Sequence, residues 1–93
     1  MEVRYLTRNG TIYLTQAVVI ENANGWKTLQ SYQTQVAQIT PKGEIRRTWA
    51  GRQYGRMSPT TMRHINCFLA MYRTHKQFSK NGWLSLPLSE LHE

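Results

Sequence analysis

At 93 residues the chain falls below the common domain size of roughly 100–150, so residues 1–93 are expected to form a single domain around one hydrophobic core. Twelve Lys and Arg against five Asp and Glu give a formal charge of +7, which excludes imitation of DNA by an acidic surface and favours polyanionic partners. One cysteine, Cys67, excludes an internal disulfide, and neither a signal-like start nor a run of ~18–20 apolar residues is present, so a cytoplasmic chain with no membrane span is expected.

In chain order, Val3 to Leu6 is a short apolar-polar stretch followed by Arg8-Asn9-Gly10. Asn-Gly tolerates the positive φ of a tight hairpin turn. Thr11 to Leu14 and Ala17 to Ile20 are rich in β-branched residues and predict one or two strands. Asn22-Ala23-Asn24-Gly25 is a second turn cluster, after which Trp26 to Thr40 reads as one long extended stretch with a bulge or break near Gln33. Pro41-Lys42-Gly43 is a third turn. Beyond it Glu44 to Trp49 alternates, and pairs as a hairpin with Gln33–Thr40.

One strong helix signal follows. Ser58 can accept a backbone N–H bond, and Pro59 suits the first helical position, where its missing N–H costs nothing. Met62, Ile65, Phe68, Leu69 and Tyr72 then recur at steps of three and four and define one apolar stripe. The helix is expected to run over about 59–75, with Asn81-Gly82 as a later left-handed stop. Trp83 to Leu88 is apolar and interrupted by Pro87, and is expected to cross the domain as an extended arm. Strands first and a helix afterwards predict an α+β fold, a small antiparallel sheet of three to five strands packed on one face by a single main helix.

Side chains for catalysis are sparse. Glu2, Glu21, Glu44, Glu90 and Glu93 are the carboxylates, no aspartate occurs, and none is paired at short spacing. Cys67 follows His64 by three residues, a spacing open to a thiolate–imidazole pair, yet a mid-helix cysteine is more often a small buried hydrophobe. His64, Cys67, Met71 and His75 fall on one helical face with soft-metal donors, but one straight helix rarely wraps a metal. No catalytic residue, metal or cofactor is therefore expected.

The charge distribution is more informative. Nine of the twelve basic residues lie between Lys42 and Lys80, and no acidic residue occurs from Ile45 to Ser89. Gly51-Arg52-Gln53-Tyr54-Gly55-Arg56 is a basic loop in which glycines admit a phosphate, arginines can bind it bidentately and a tyrosine can stack. Arg46 and Arg47 point to opposite faces of a strand, so one of them can join that loop. Arg63, Asn66, Arg73 and Lys76 lie mostly off the apolar stripe and extend a basic ridge. Arg46, Arg47, Arg52, Tyr54, Arg56, Arg63, Arg73 and Lys76 are the candidate contacts with nucleic acid or a partner.

Leu29 to Leu69 carries a Leu29-Gln30-Ser31-Tyr32-Gln33-Thr34-Gln35-Val36-Ala37 segment, a Ser58-Pro59-Thr60-Thr61 helix start and a His64-Ile65-Asn66-Cys67-Phe68-Leu69 run. In this it resembles a family of small uncharacterised proteins of phages and mobile elements of Gram-positive bacteria. Its 52–56 loop is longer and more basic than that family's. The resemblance implies a binding protein that disables host machinery, in the manner of anti-CRISPR inhibitors of an effector nuclease. The expected partner is thus a host protein or nucleoprotein complex in the host cytoplasm. A plain DNA- or RNA-binding protein of phage replication or regulation is the alternative, and homodimerisation stays open.

Overall fold

The structure is a computed structural model that describes residues 1–8, 11–49 and 58–92. Five strands pair in sequence order, β1 (Glu2–Arg8), β2 (Thr11–Glu21), β3 (Lys27–Ser31), β4 (Thr34–Ile39) and β5 (Ile45–Arg47), and form one antiparallel sheet. β1 and β2 place Arg8 opposite Thr11; the expected Asn9-Gly10 turn lies outside the described residues. Thr11 to Glu21 is one strand of 11 residues. Two register shifts around Leu6 let the shorter β1 follow it.

The Asn22–Gly25 turn closes through Gly25 N–H donating to Asn22 O at 3.0 Å, with Gly25 at φ 92°. A side chain there would also press on Pro41, whose Cβ is 3.2 Å from the position of the missing Cβ. The stretch from Trp26 to Thr40 breaks near Gln33, as expected. A turn at Tyr32-Gln33 divides it into β3 and β4, and a register shift between Leu29 and Gln30 precedes the turn. Tyr32 takes φ 56° and its N–H donates to Gln16 O at 2.8 Å, so the turn is tied to β2.

α1 (Pro59–Met71) begins as its sequence predicts, with Thr60 N–H donating to Ser58 Oγ at 3.1 Å. Its stripe of Met62, Ile65, Phe68 and Leu69 is buried, and the helix contacts β1 and β3. Leu6, Ala17, Val19, Leu29, Val36, Ala37 and Ile39 supply the sheet's share of the core. The molecule is therefore α+β, a five-stranded open sheet with one main helix and one short helix. Among the described residues no helix is long and apolar enough to cross a membrane.

α1 ends at Met71, four residues before the expected limit. Thr74 N–H donates to Leu69 O at 3.1 Å and Arg73 N–H to Ala70 O at 3.0 Å, while Arg73 adopts φ 56°. This is the double-bonded left-handed cap that usually has glycine at the turning position. Asn81-Gly82 proves to be interior to α2 (Lys80–Leu84), because Ser79 caps that helix by accepting from Gly82 N–H at 3.1 Å. Trp83 is consequently helical and fully buried, with Phe78 edge-on at 5.5 Å. The extended arm starts only at Leu86.

Register separates the faces of the sheet. Arg4, Val19, Leu29, Ala37 and Arg47 align across the strands and face α1, while Val3, Ile20, Thr28, Gln38 and Arg46 align on the other side. Trp83→Ala should lower unfolding free energy by about 3–5 kcal/mol, a large part of the roughly 5–15 kcal/mol typical of a domain. Urea denaturation followed by far-UV circular dichroism would measure the loss.

Candidate partner interface

The chain leaves α1 and turns back on it. Asn66, on the outer side of the helix, pairs its amide with the backbone of Phe78: Phe78 N–H donates to Asn66 Oδ1 and Asn66 Nδ2 donates to Phe78 O, both at 2.9 Å. Gln77 Nε2 adds a bond to Asn66 O at 3.1 Å. These bonds fold residues 73–79 back beside α1, on the side where Arg63 stands three residues before Asn66 and thus one turn away. Arg73, His75, Lys76 and Lys80 are all exposed on this connector and at the start of α2. His75 joins Arg73 in the left-handed region, at φ 61°.

The predicted contacts divide by position. Arg63 is exposed and donates to Thr60 Oγ1 at 3.1 Å. Arg73 and Lys76 share the connector, and Asn66 acts as the tie that sets it. Arg46, on the opposite sheet face, pairs with Glu44 at 2.8 Å. Arg47 faces the interior side and donates through Nη1 to Leu86 O at 2.9 Å, a bond within the fold. Arg52, Tyr54 and Arg56 lie outside the described residues. Lys80, absent from the sequence-derived set, joins the group through the Asn66–Phe78 pairing, which nothing in local sequence announces.

Acidic groups sit elsewhere. Arg4 bridges Glu2 and Glu21 at 2.8 Å each, and Tyr72 donates its hydroxyl to Glu21 at 2.5 Å. Burial, followed by that bond to Glu21, pushes the Tyr72 phenol well above its ordinary range. Lys27 lies 5.2 Å above the Tyr72 ring. Among the described residues the three ion pairs involve Glu2, Glu21 and Glu44, and none reaches Arg63, Arg73, Lys76 or Lys80. Arg63, Arg73, Lys76 and Lys80 thus form a cationic strip on α1 and its connector that has no ion-pair partner among the described residues.

The residues weighed for chemistry are placed differently from a reactive centre. His64 is fully buried, with Nδ1 2.7 Å from Ser31 Oγ, and Nε2 has no hydrogen-bond partner. Ser31 is 2% exposed, so water and substrate have little access to the pair. Cys67 donates to Thr7 O at 3.4 Å, which links α1 to β1. His75 lies past the helix end, off the face that His64 and Cys67 share. Among the described residues no three His, Cys, Asp or Glu side chains converge on one point.

Burial, with a smaller effect of the Arg63 charge, holds the His64 imidazole below its ordinary value of 6.5. The folded state therefore takes up this proton less readily than the unfolded chain. Its stabilising effect is complete above about pH 6.5 and is lost as pH falls from there to the lowered folded value, at no more than about 1.4 kcal/mol per pH unit. His64→Asn should flatten the pH dependence of urea midpoints over that window; an unchanged slope would count against burial of the neutral ring.

The fold and the strip together define a small α+β domain with a built-up basic side. The chain belongs to a family of unknown function (DUF8033), whose model matches residues 1–85. No curated protein and no solved structure matches it.

Proposed function

We propose that this is a non-catalytic binding protein that docks on a nucleic-acid-directed host complex and inhibits it through Arg63, Arg73, Lys76 and Lys80. The observation that carries this reading is Arg73. It occupies the left-handed capping position at φ 56°, where a side chain costs roughly 1–2 kcal/mol relative to glycine. Strain of this kind persists when the surrounding structure over-determines it, here through the two cap bonds, and it clusters at functional sites. Here the displayed group is an exposed guanidinium, suited to bidentate contact with phosphate.

The resemblance read from the Leu29–Ala37, Ser58–Thr61 and His64–Leu69 segments, which implies a phage or mobile-element origin, directs the proposal toward a host defence complex of the CRISPR effector type. Guide RNA or bound DNA in such a complex would meet the strip. The alternative reading, a DNA- or RNA-binding protein of replication or regulation, uses the same cations on free nucleic acid. Co-purification with candidate effector complexes, with and without nuclease, and gel shifts on free DNA and RNA separate the two. Retention only on the complex supports inhibition, binding to free nucleic acid supports the alternative, and binding to neither removes both.

Arg73→Gly gives a sharper test, because the two consequences have opposite signs. Stability should rise by about 1 kcal/mol as backbone strain is relieved, while affinity for the polyanion falls. On duplex DNA each lost phosphate contact should reduce the log–log salt slope by about 0.9. Thermal denaturation and salt-dependent binding titrations on one preparation would read both effects.

A further inference from the structure

The side of the molecule away from the basic strip contains a second arrangement that the proposed function does not use. Residues 86–92 run along the β5 edge and then onto the sheet face opposite α1. Arg47 Nη1 donates to Leu86 O at 2.9 Å, Leu88 forms a parallel bridge with Arg47, and Ser89 N–H donates to Arg47 O at 2.8 Å. On the second face His92 N–H donates to Gln38 Oε1 at 2.9 Å, and Gln38 Nε2 donates to His92 O at 2.6 Å. Gln38 is fully buried and its Nε2 also donates to Thr28 Oγ1 at 2.9 Å, which fixes the amide's orientation. The His92 ring lies flat on Trp26, with centroids 4.0 Å apart and planes 6° apart.

In every one of these hydrogen bonds the segment contributes only backbone atoms. The body of the domain contributes a strand edge, one guanidinium and one oriented carboxamide. Leu88 is 57% exposed, so apolar burial of that residue adds little to the hold. Recognition through main-chain N–H and C=O, with one side chain in a defined place, is how sheet edges take up extended peptides. Two side chains read residue identity: Leu86, partly buried against the core, and the His92 ring on Trp26.

We infer that the β5 edge, the Gln38 amide and the Trp26 ring form a receptor for an extended peptide, occupied in cis by residues 86–92. The peptide it fits offers a free N–H opposite Arg47 O and, three residues later, a planar ring for Trp26, the spacing of Ser89 and His92. In the unaltered chain the tethered segment competes at high effective concentration, so a peptide in trans binds weakly.

Ser89→Pro in the full chain removes the N–H that meets Arg47 O and frees the receptor. A fluorescein-labelled peptide of residues 86–92 should bind this variant about tenfold or more tightly than it binds the unaltered chain, by fluorescence anisotropy. Adding Gln38→Ala to the variant should remove that gain. A peptide with His92→Ala should bind more weakly, and one with Leu88→Ala equally well. Equal binding to both forms, or no binding to a Ser89→Pro protein with unchanged far-UV circular dichroism, would overturn the assignment. So would sedimentation of that variant as a dimer that ignores the peptide, since a second copy would then fill the site. Independently of any fold loss, proton NMR of the unaltered chain should show His92 ring protons shifted upfield by Trp26 and restored in Trp26→Leu; unshifted protons at the outset contradict cis occupancy.

Discussion

Covering the sheet is the constraint on which everything else depends. Five strands at ~4.8 Å spacing span about 20–24 Å, and a thirteen-residue helix reaches about 20 Å along its axis and only ~10 Å across. α1 therefore buries Leu6, Val19 and Leu29 under Ile65, Phe68 and Leu69 but cannot shield the sheet to its β5 edge. The chain completes the cover with Trp83 of α2 and with the segment that follows it. The early end of α1, the returning connector and the wrapped β5 edge are all parts of that one solution.

Polar side chains rather than disulfides fix these later pieces in place. Glu21 receives both Arg4 and Tyr72, and so joins β1, β2 and the end of α1. Ser31 holds His64, Asn66 holds Phe78, and Gln38 holds His92. Arg4 is exposed, but the links at Tyr72, His64, Phe78 and His92 are buried or half-buried, where a hydrogen bond is costly to leave unmade. On the second face the cover is incomplete: Val3 is 59% and Tyr5 48% exposed on β1, while Thr28 and Gln38 are shielded.

Features governed by neighbouring residues were legible in the sequence. Ser58-Pro59 marked the start of α1, the three-and-four spacing marked its buried stripe, and Gly25 and Gly43 marked turns that the structure gives positive φ. Features that depend on distant partners were not. The helix end was missed because arginine, not glycine, turns the cap, and Asn81-Gly82 misled because a serine two residues earlier had already started a helix. Arg47 illustrates the same limit at the candidate site. Strand alternation places it on a face, but not beneath Leu86, which lies 39 residues away. Arg63, Arg73 and Lys76 could be picked out by charge and helical position. Their gathering around Asn66 could not, since a carboxamide reading a backbone twelve residues on leaves no local pattern.

The wrapped edge also bears on association between chains. An edge strand left bare presents a row of unpaired N–H and C=O groups, a template onto which another chain can add. Along β5 part of that row is taken up by the protein's own backbone, since Ser89 N–H donates to Arg47 O and Leu88 bridges Arg47 in parallel. The last stretch of chain thus acts as a built-in guard on one border of the sheet.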